Sequence, residues 1–407
     1  MIKSLENFTK FAFLALATFP LLLPNHNSMI IILCSILSIY YFFKLQNKPK
    51  FNSKILLLTI PFFLFLLYEI ISNSFNSARI LRQLPFLIFP FLFFYRPSFI
   101  NNKIKTKSFY VFQIATIIQS LIYLFLFIKN NSIKDIFNIS NANIPFFREY
   151  VQNNYLFEIH PTYFSSFLLV SFTMSLFWFF KAKILNTFNI LICVFFLFLF
   201  SSRVIIIILI LSLVAFLIQL IFKNKKNYKV YALVFISLVT LVFSLFNSSV
   251  VRERFKELKT EIKKPIVGDY YNSTNTRIAI YKCDFILLKS LPIFGYGNTL
   301  QQKLNLCYKE NNDSDFYTIS VFNTHNYYFN LILYGGFLFF IVFLIYFVVI
   351  FIKLKHSLLA LFIFFQFLTI NLTENFLSRH YGIVLFSYFT ALFFIKEKNT
   401  NATTKHI

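Results

Sequence analysis

The sequence predicts an all-α, polytopic membrane protein with about twelve transmembrane helices and one large extracytoplasmic loop. Three observations carry that expectation. The 407 residues are 58% hydrophobic and only 13% charged, whereas about a quarter of a soluble globular chain is charged. Apolar runs near the roughly twenty residues that span a bilayer core recur along the whole length. Lysines and arginines gather in every second segment between those runs, which is the positive-inside pattern.

Taken in order, the apolar runs place helices at roughly 8–24, 28–43, 54–71, 80–95, 109–128, 159–180, 184–200, 204–222, 229–247, 325–352, 356–376 and 378–395. The first follows Lys3 and Lys10 and has the look of a signal peptide. It lacks a small-x-small cleavage site and many spans follow it, so it reads as an uncleaved helix. With twelve spans both termini are cytoplasmic. The cytoplasmic segments then hold Lys44, Lys48, Lys50, Arg96, Lys103, Lys181, Lys223, Lys353 and Lys396, among others, against the acids Glu6 and Glu397. Asp135, Glu149, Glu158, Asp269, Asp313 and Asp315 fall on the opposite side. The net charge of +24 is thereby explained by topology and is not read as nucleic-acid binding. The 62 Phe reflect composition bias and are not read as function. No Walker A pattern occurs, and the cytoplasmic loops are too short for a nucleotide-binding domain.

The chain divides into transmembrane helices over 1–247, a large outer loop over 248–324, and the last helices and a short cytoplasmic tail over 325–407. Within the loop, 252–264 has Glu and Lys at helical spacing and reads as a solvated amphipathic helix. Residues 273–290 form a second helix with Ile278, Tyr281, Phe285 and Leu288 on one face, suited to lie on the membrane surface. Ser273 or Thr274 would cap it, and Pro292-Ile-Phe-Gly295-Tyr-Gly297 ends it. Cys34 and Cys193 sit in apolar helices as small buried residues. Cys283 and Cys307 share the outer loop, where an oxidising compartment allows a disulfide.

Three outer-face residues carry chemistry. Arg203 stands alone where two apolar helices meet with almost no loop between them. A cation left near mid-membrane costs at least about 2.5–3.5 kcal/mol, so Arg203 belongs at the interface or beside an anion. Arg277 lies in the first turn of the surface helix, where free backbone amides also favour an anion. His325 opens a span in Asn323-Thr-His325-Asn326, where a neutral imidazole can act as general base. Taken singly, each has a plainer reading: an interfacial anchor that snorkels to headgroups, a solvated loop charge and a helix-start residue. Two cations and a base together suit a transfer in which diphosphate leaves.

From about Phe195 to 395 the chain resembles the O-antigen ligase and O-antigen polymerase family of bacterial membrane glycosyltransferases. The resemblance rests on Ser202-Arg203, Asn275-Thr-Arg277, Pro292-Ile-Phe-Gly295-Tyr-Gly297, Thr324-His325-Asn326, Tyr334-Gly335-Gly336 and Leu372-Thr-Glu374-Asn. His160-Pro-Thr-Tyr163 resembles a pattern in polymerase-like members, beside its plain reading as a helix start with Pro at the first position. Val204 departs from the Gly, and Tyr281 from the nearby Trp, that many relatives carry.

The resemblance implies a GT-C-like fold in the bacterial inner membrane with the active site facing the periplasm. It implies a metal-independent, inverting transfer of a glycan from undecaprenyl diphosphate to a sugar hydroxyl, with no cofactor. Arg203 and Arg277 would bind the diphosphate and His325 would activate the acceptor, which is lipid A core for a ligase and a lipid-linked glycan for a polymerase. Asn326, His160 and Glu374 are candidate supporting residues: Asn326 to orient His325, Glu374 to touch sugar or to close a helix end with Arg379. Asp313-Ser-Asp315 reads as solvated loop charge. A flippase of lipid-linked oligosaccharide is the competing class; it would carry charge within helices and paired halves, and neither is evident.

Overall fold

The computed structural model describes residues 2–44, 53–72, 75–139, 144–154, 159–223, 256, 262, 273–312 and 321–394. The described chain is helical, with one isolated β-bridge between Ile139 and Pro145 and no other pairing. In order, the helices are α1 Ile2–Ala15, α2 Pro24–Lys44, α3 Ser53–Ile71, α4 Ser77–Gln83, α5 Pro85–Phe94, α6 Asn102–Asn130, α7 Phe146–Asn153 and α8 Pro161–Phe177. They continue with α9 Lys183–Phe200, α10 Arg203–Lys223, α11 Ser273–Lys289, α12 Leu300–Asn311, α13 Tyr327–Leu354, α14 Leu358–Ile370 and α15 His380–Phe394.

Six segments are long and apolar enough to cross a membrane: α2, α3, α4 with α5, α6, α9 and α13. Four more apolar helices, beginning at Pro161, Arg203, Leu358 and His380, are shorter over their described residues. The expected helix at 229–247 lies outside the described residues, and of the one expected at 252–264 only residues 256 and 262 are described. Each of the others has a counterpart, with shifted ends.

The shifts have local causes. The run expected at 8–24 starts at Ile2 and gives way after Ala15 to a 3-10 turn, Leu16–Leu21, that contains Pro20; proline removes a backbone donor and crowds the preceding turn. The helix expected at 80–95 is jointed at Leu84, ahead of Pro85. The helix expected at 356–376 stops at Ile370, and residues 371–379 form an irregular connection to α15.

The interior is aromatic and aliphatic, with Phe19, Phe112, Phe167 and Tyr388 in mutual ring contact. Polar side chains inside it are paired between helices. Gln113 of α6 donates to Ser175 of α8 and to Asn186 of α9. Asn189 of α9 donates to Ser171 and Ser175, and Gln366 of α14 donates to Thr173 of α8 and Ser212 of α10. Such bonds fix register where apolar packing alone would permit sliding. Cys34 and Cys193 are buried free thiols, as expected.

Candidate functional site

The site forms where four separate stretches of chain meet: the α9–α10 joint, the start of α11, the turn before α13 and the connection between α14 and α15. The joint is very short. Ser201 closes α9 in the left-handed conformation (φ 45°), and its N–H bonds back to Leu197 and Phe198. Arg203 then begins α10, as its position between two apolar runs predicts. Its guanidinium donates to Thr274 Oγ1 at 2.6 Å. Thr274 lies one turn ahead of Arg277 on α11, so the two arginines expected to work together are gathered at one helix start.

Arg277 makes a 2.5 Å ion pair with Glu374 Oε1. The other carboxylate oxygen of Glu374 faces His325 Nδ1 at 3.4 Å, within charge contact though short of hydrogen-bond alignment. Arg277 and His325 are partly open to solvent at 29% and 28% of their side-chain surface, while Glu374 is nearly enclosed at 10%. Burial works against ionisation of Glu374. The His325 contact and the charges of Arg277, His325 and His160 outweigh it and hold the carboxyl below its ordinary range. Glu374 thus stands as a carboxylate between a fixed cation and an imidazole. The sequence suggested a contact with sugar or acceptor, or a helix-end role shared with Arg379; the side-chain partners of Glu374 in the structure are Arg277 and His325.

His325 itself has a positive φ of 44°, an uncommon conformation for a residue with a side chain. Its N–H donates to Asn323 Oδ1 at 2.9 Å, and Tyr281 OH reaches its carbonyl at 3.4 Å. Thr324 Oγ1 bridges the Asn326 carbonyl and Asn375. Asn326 acts on backbone. Its Oδ1 caps α13 by accepting from Tyr328 and Phe329 N–H, and its Nδ2 donates to Leu372 O at 3.0 Å. Its link to His325 is therefore through the turn and no side-chain bond joins them.

His160 caps α8, with Nδ1 accepting from Thr162 N–H at 3.3 Å and Pro161 in the first helical position. Burial, then the charge of Arg148, lower its pKa to about 4. Arg148 is a site-adjacent cation that the sequence did not single out. It donates to Phe200 O at 2.9 Å, an end carbonyl of α9, and to Thr162 Oγ1 at 3.2 Å. Its only sequence trace is a lone Arg in an outer loop.

The glycine motifs form a tight joint between the 292–297 turn and α13. Gly336 breaks α13 with φ 80° and ψ 177°, a region that only glycine occupies readily. A Cβ there would meet Ile293 O at 2.1 Å, and one on Gly295 would meet Tyr334 O at 2.4 Å. The turn 292–297 is thus pressed against the break, with Tyr296 N–H donating to Leu333 O at 2.7 Å. Tyr68 of α3 closes the joint by hydrogen-bonding Phe294 O and Tyr334 O. Beneath it, fully buried Glu69 receives Tyr334 OH, Asn298 Nδ2, Asn76 N–H and Arg79.

Cys283 and Cys307 form a disulfide that ties α11 to α12. On α11, the buried face holds Ala279, Ile280, Cys283, Asp284 and Leu287, and Ile278 and Phe285 face outward. Tyr270, Tyr271 and Asp313-Ser-Asp315 lie outside the described residues.

Residues 188–344 match the family model described as Wzy_C, O-Antigen ligase. This segment is similar to an O-antigen ligase domain. It contains Arg203, Arg277, His325, the 292–297 turn and the Gly335-Gly336 break. His160 and Glu374 lie outside it, in the chain before and after the matched segment. No curated protein matches the chain. The match together with the apolar helices points to a bacterial membrane protein.

Proposed function

We propose that the protein transfers a glycan from undecaprenyl diphosphate to a sugar hydroxyl outside the inner membrane, as an O-antigen ligase or as an O-antigen or exopolysaccharide polymerase. The observation that carries this reading is the convergence of Arg203, Arg277, Glu374 and His325 from four distant stretches of chain.

In this reading Glu374 holds the Nδ1 side of His325, which leaves Nε2 to take a proton from the acceptor hydroxyl. As the proton moves, the imidazolium that forms is stabilised by the carboxylate beside it. The acceptor oxygen attacks the anomeric carbon from the face opposite the leaving group and inverts it. Arg277 and Arg203 meet the charge that gathers on the departing diphosphate. Arg277 exchanges part of its Glu374 contact for phosphate, and Thr274 holds Arg203 in place until substrate arrives. The partners are a lipid-linked glycan and either lipid A core or a second lipid-linked glycan.

The test is a strain lacking the gene, complemented with wild type or with His325→Ala, read by a gel of surface lipopolysaccharide and by extraction of lipid-linked glycan. A ligase predicts bare core with long glycan held on the carrier lipid. A polymerase predicts core bearing a single repeat and no ladder. A normal ladder with His325→Ala, at normal protein level, would sink the catalytic assignment.

A further inference from the structure

The mechanism above leaves His160 without a task, and its geometry is more specific than a helix cap requires. A backbone N–H is always a donor, so the 3.3 Å contact from Thr162 makes Nδ1 of His160 an acceptor. The neutral ring must then carry its proton on Nε2. His160 is exposed to solvent, with protein crowded around part of it. The charged and titratable groups that face it are Arg148, Glu374, His325 and Arg379. Two of these belong to the proposed reaction centre. Tyr163, one helical turn on, stacks on Phe376 of the connection that carries Glu374, with ring centres 5.6 Å apart. His160 is therefore tied, through Tyr163, to the connection that carries Glu374.

A ring in this state is a poor acid or base. Nε2 bears the proton, Nδ1 is occupied by the Thr162 N–H, and crowding by protein and the charge of Arg148 keep a second proton off Nδ1 until the pH nears 4. The ring can only donate a hydrogen bond. Glu374, near enough to act on the ring through its charge, is an ionised carboxylate and can only accept. A donor and an acceptor on one site suit sugar hydroxyls, which both accept and donate. We propose that His160 is a sugar-binding residue, presenting a fixed Nε2–H donor to a hydroxyl oxygen of the glycan substrate. This rests on the glycan-transfer reading of the site.

The helix-cap role and the sugar contact separate by substitution. Ser is an excellent N-cap but leaves no donor at the distance of Nε2. Gln places an amide N–H near that point but caps poorly. Purified full-length protein would be assayed with lipid-linked donor and with acceptor, each titrated at saturating levels of the other. His160→Ser is expected to keep wild-type thermal stability and to raise one KM about tenfold, the loss of one hydrogen bond. The substrate whose KM rises is the one that carries the hydroxyl. His160→Gln is expected to recover most of that loss and to keep the wild-type pH profile. If His160→Ser disturbs insertion, His160→Thr provides the same comparison. Full activity in His160→Ser, or a pH profile displaced in His160→Gln, overturns the assignment and leaves His160 as a cap or as a titrating group. An inactive wild type would instead remove the transferase reading, and this inference with it.

Discussion

At the residue scale, Glu374 decides the character of the site. Its carboxylate binds Arg277 and faces His325 at once, so a change there disturbs both a cation and a base. Glu374→Gln keeps the shape and removes the charge. Transfer is expected to fall through kcat, while His325→Ala, which deletes the base, is expected to lose about 10²–10⁴-fold. The measurement is initial rate at saturating substrates. Arg277→Lys would keep a charge but lose the planar fork, so the donor KM is expected to rise. The pH dependence of stability has a definite sign. Glu374 is held below the ordinary carboxylate range, so its contribution is full above that range and is lost as the pH falls through its lowered value.

Asp284 runs the other way. It is fully buried on α11, has no hydrogen-bond partner among the described residues, and burial pushes its carboxyl up to about 8. The folded state keeps this proton while the unfolded chain releases it above about pH 4, so stability falls from there up to about pH 8. Thermal unfolding across that window should show the decline in wild type and a flatter curve in Asp284→Asn. Equal slopes would contradict the assignment.

At the scale of elements, two locks join α11, the turn after it, α12 and α13. One is the turn 292–297 seated on the break in α13. Gly336→Ala forces a side chain into a glycine-only conformation and onto Ile293 O, and is expected to cost more than the roughly 1–3 kcal/mol of backbone strain alone. Thermal denaturation in detergent measures it, and an unchanged midpoint would contradict the lock. The other is the Cys283–Cys307 disulfide between α11 and α12. A bond of this kind typically stabilises by about 2–4 kcal/mol. Cys307→Ser should lower the midpoint to match reduced wild type, and should shift mobility on a non-reducing gel. The loss would reach Arg277 because Cys283 lies on the same helix.

At the scale of the whole molecule, the sorting of basic residues and the disulfide both favour an outer location for α11 and α12. The native cysteines are either buried or disulfide-bonded, so single added thiols can be read against little background. Ser290→Cys is expected to react with a membrane-impermeant maleimide in intact cells with a permeabilised outer membrane. Lys353→Cys, at the far end of α13, is expected to react only after the inner membrane is opened. The reverse pattern would invert the topology.

The order and approximate position of the described apolar helices follow from the sequence because spanning a bilayer is a local demand, met by roughly twenty consecutive apolar residues. Arg203, Arg277 and His325 are legible for a related reason: a charged or titratable residue stands out against apolar sequence, and its place at a helix start is visible nearby. The ends of α1 and α14 were less legible, since Pro20 and the 371–379 connection act through turn geometry. What the tertiary structure alone decided is partnership. Glu374 meets Arg277 across 97 residues, Arg203 meets Thr274 across 71, and Arg148 meets Phe200 across 52. No local pattern encodes those pairs, because helix packing sets them, and helix packing depends on every apolar face in the bundle together.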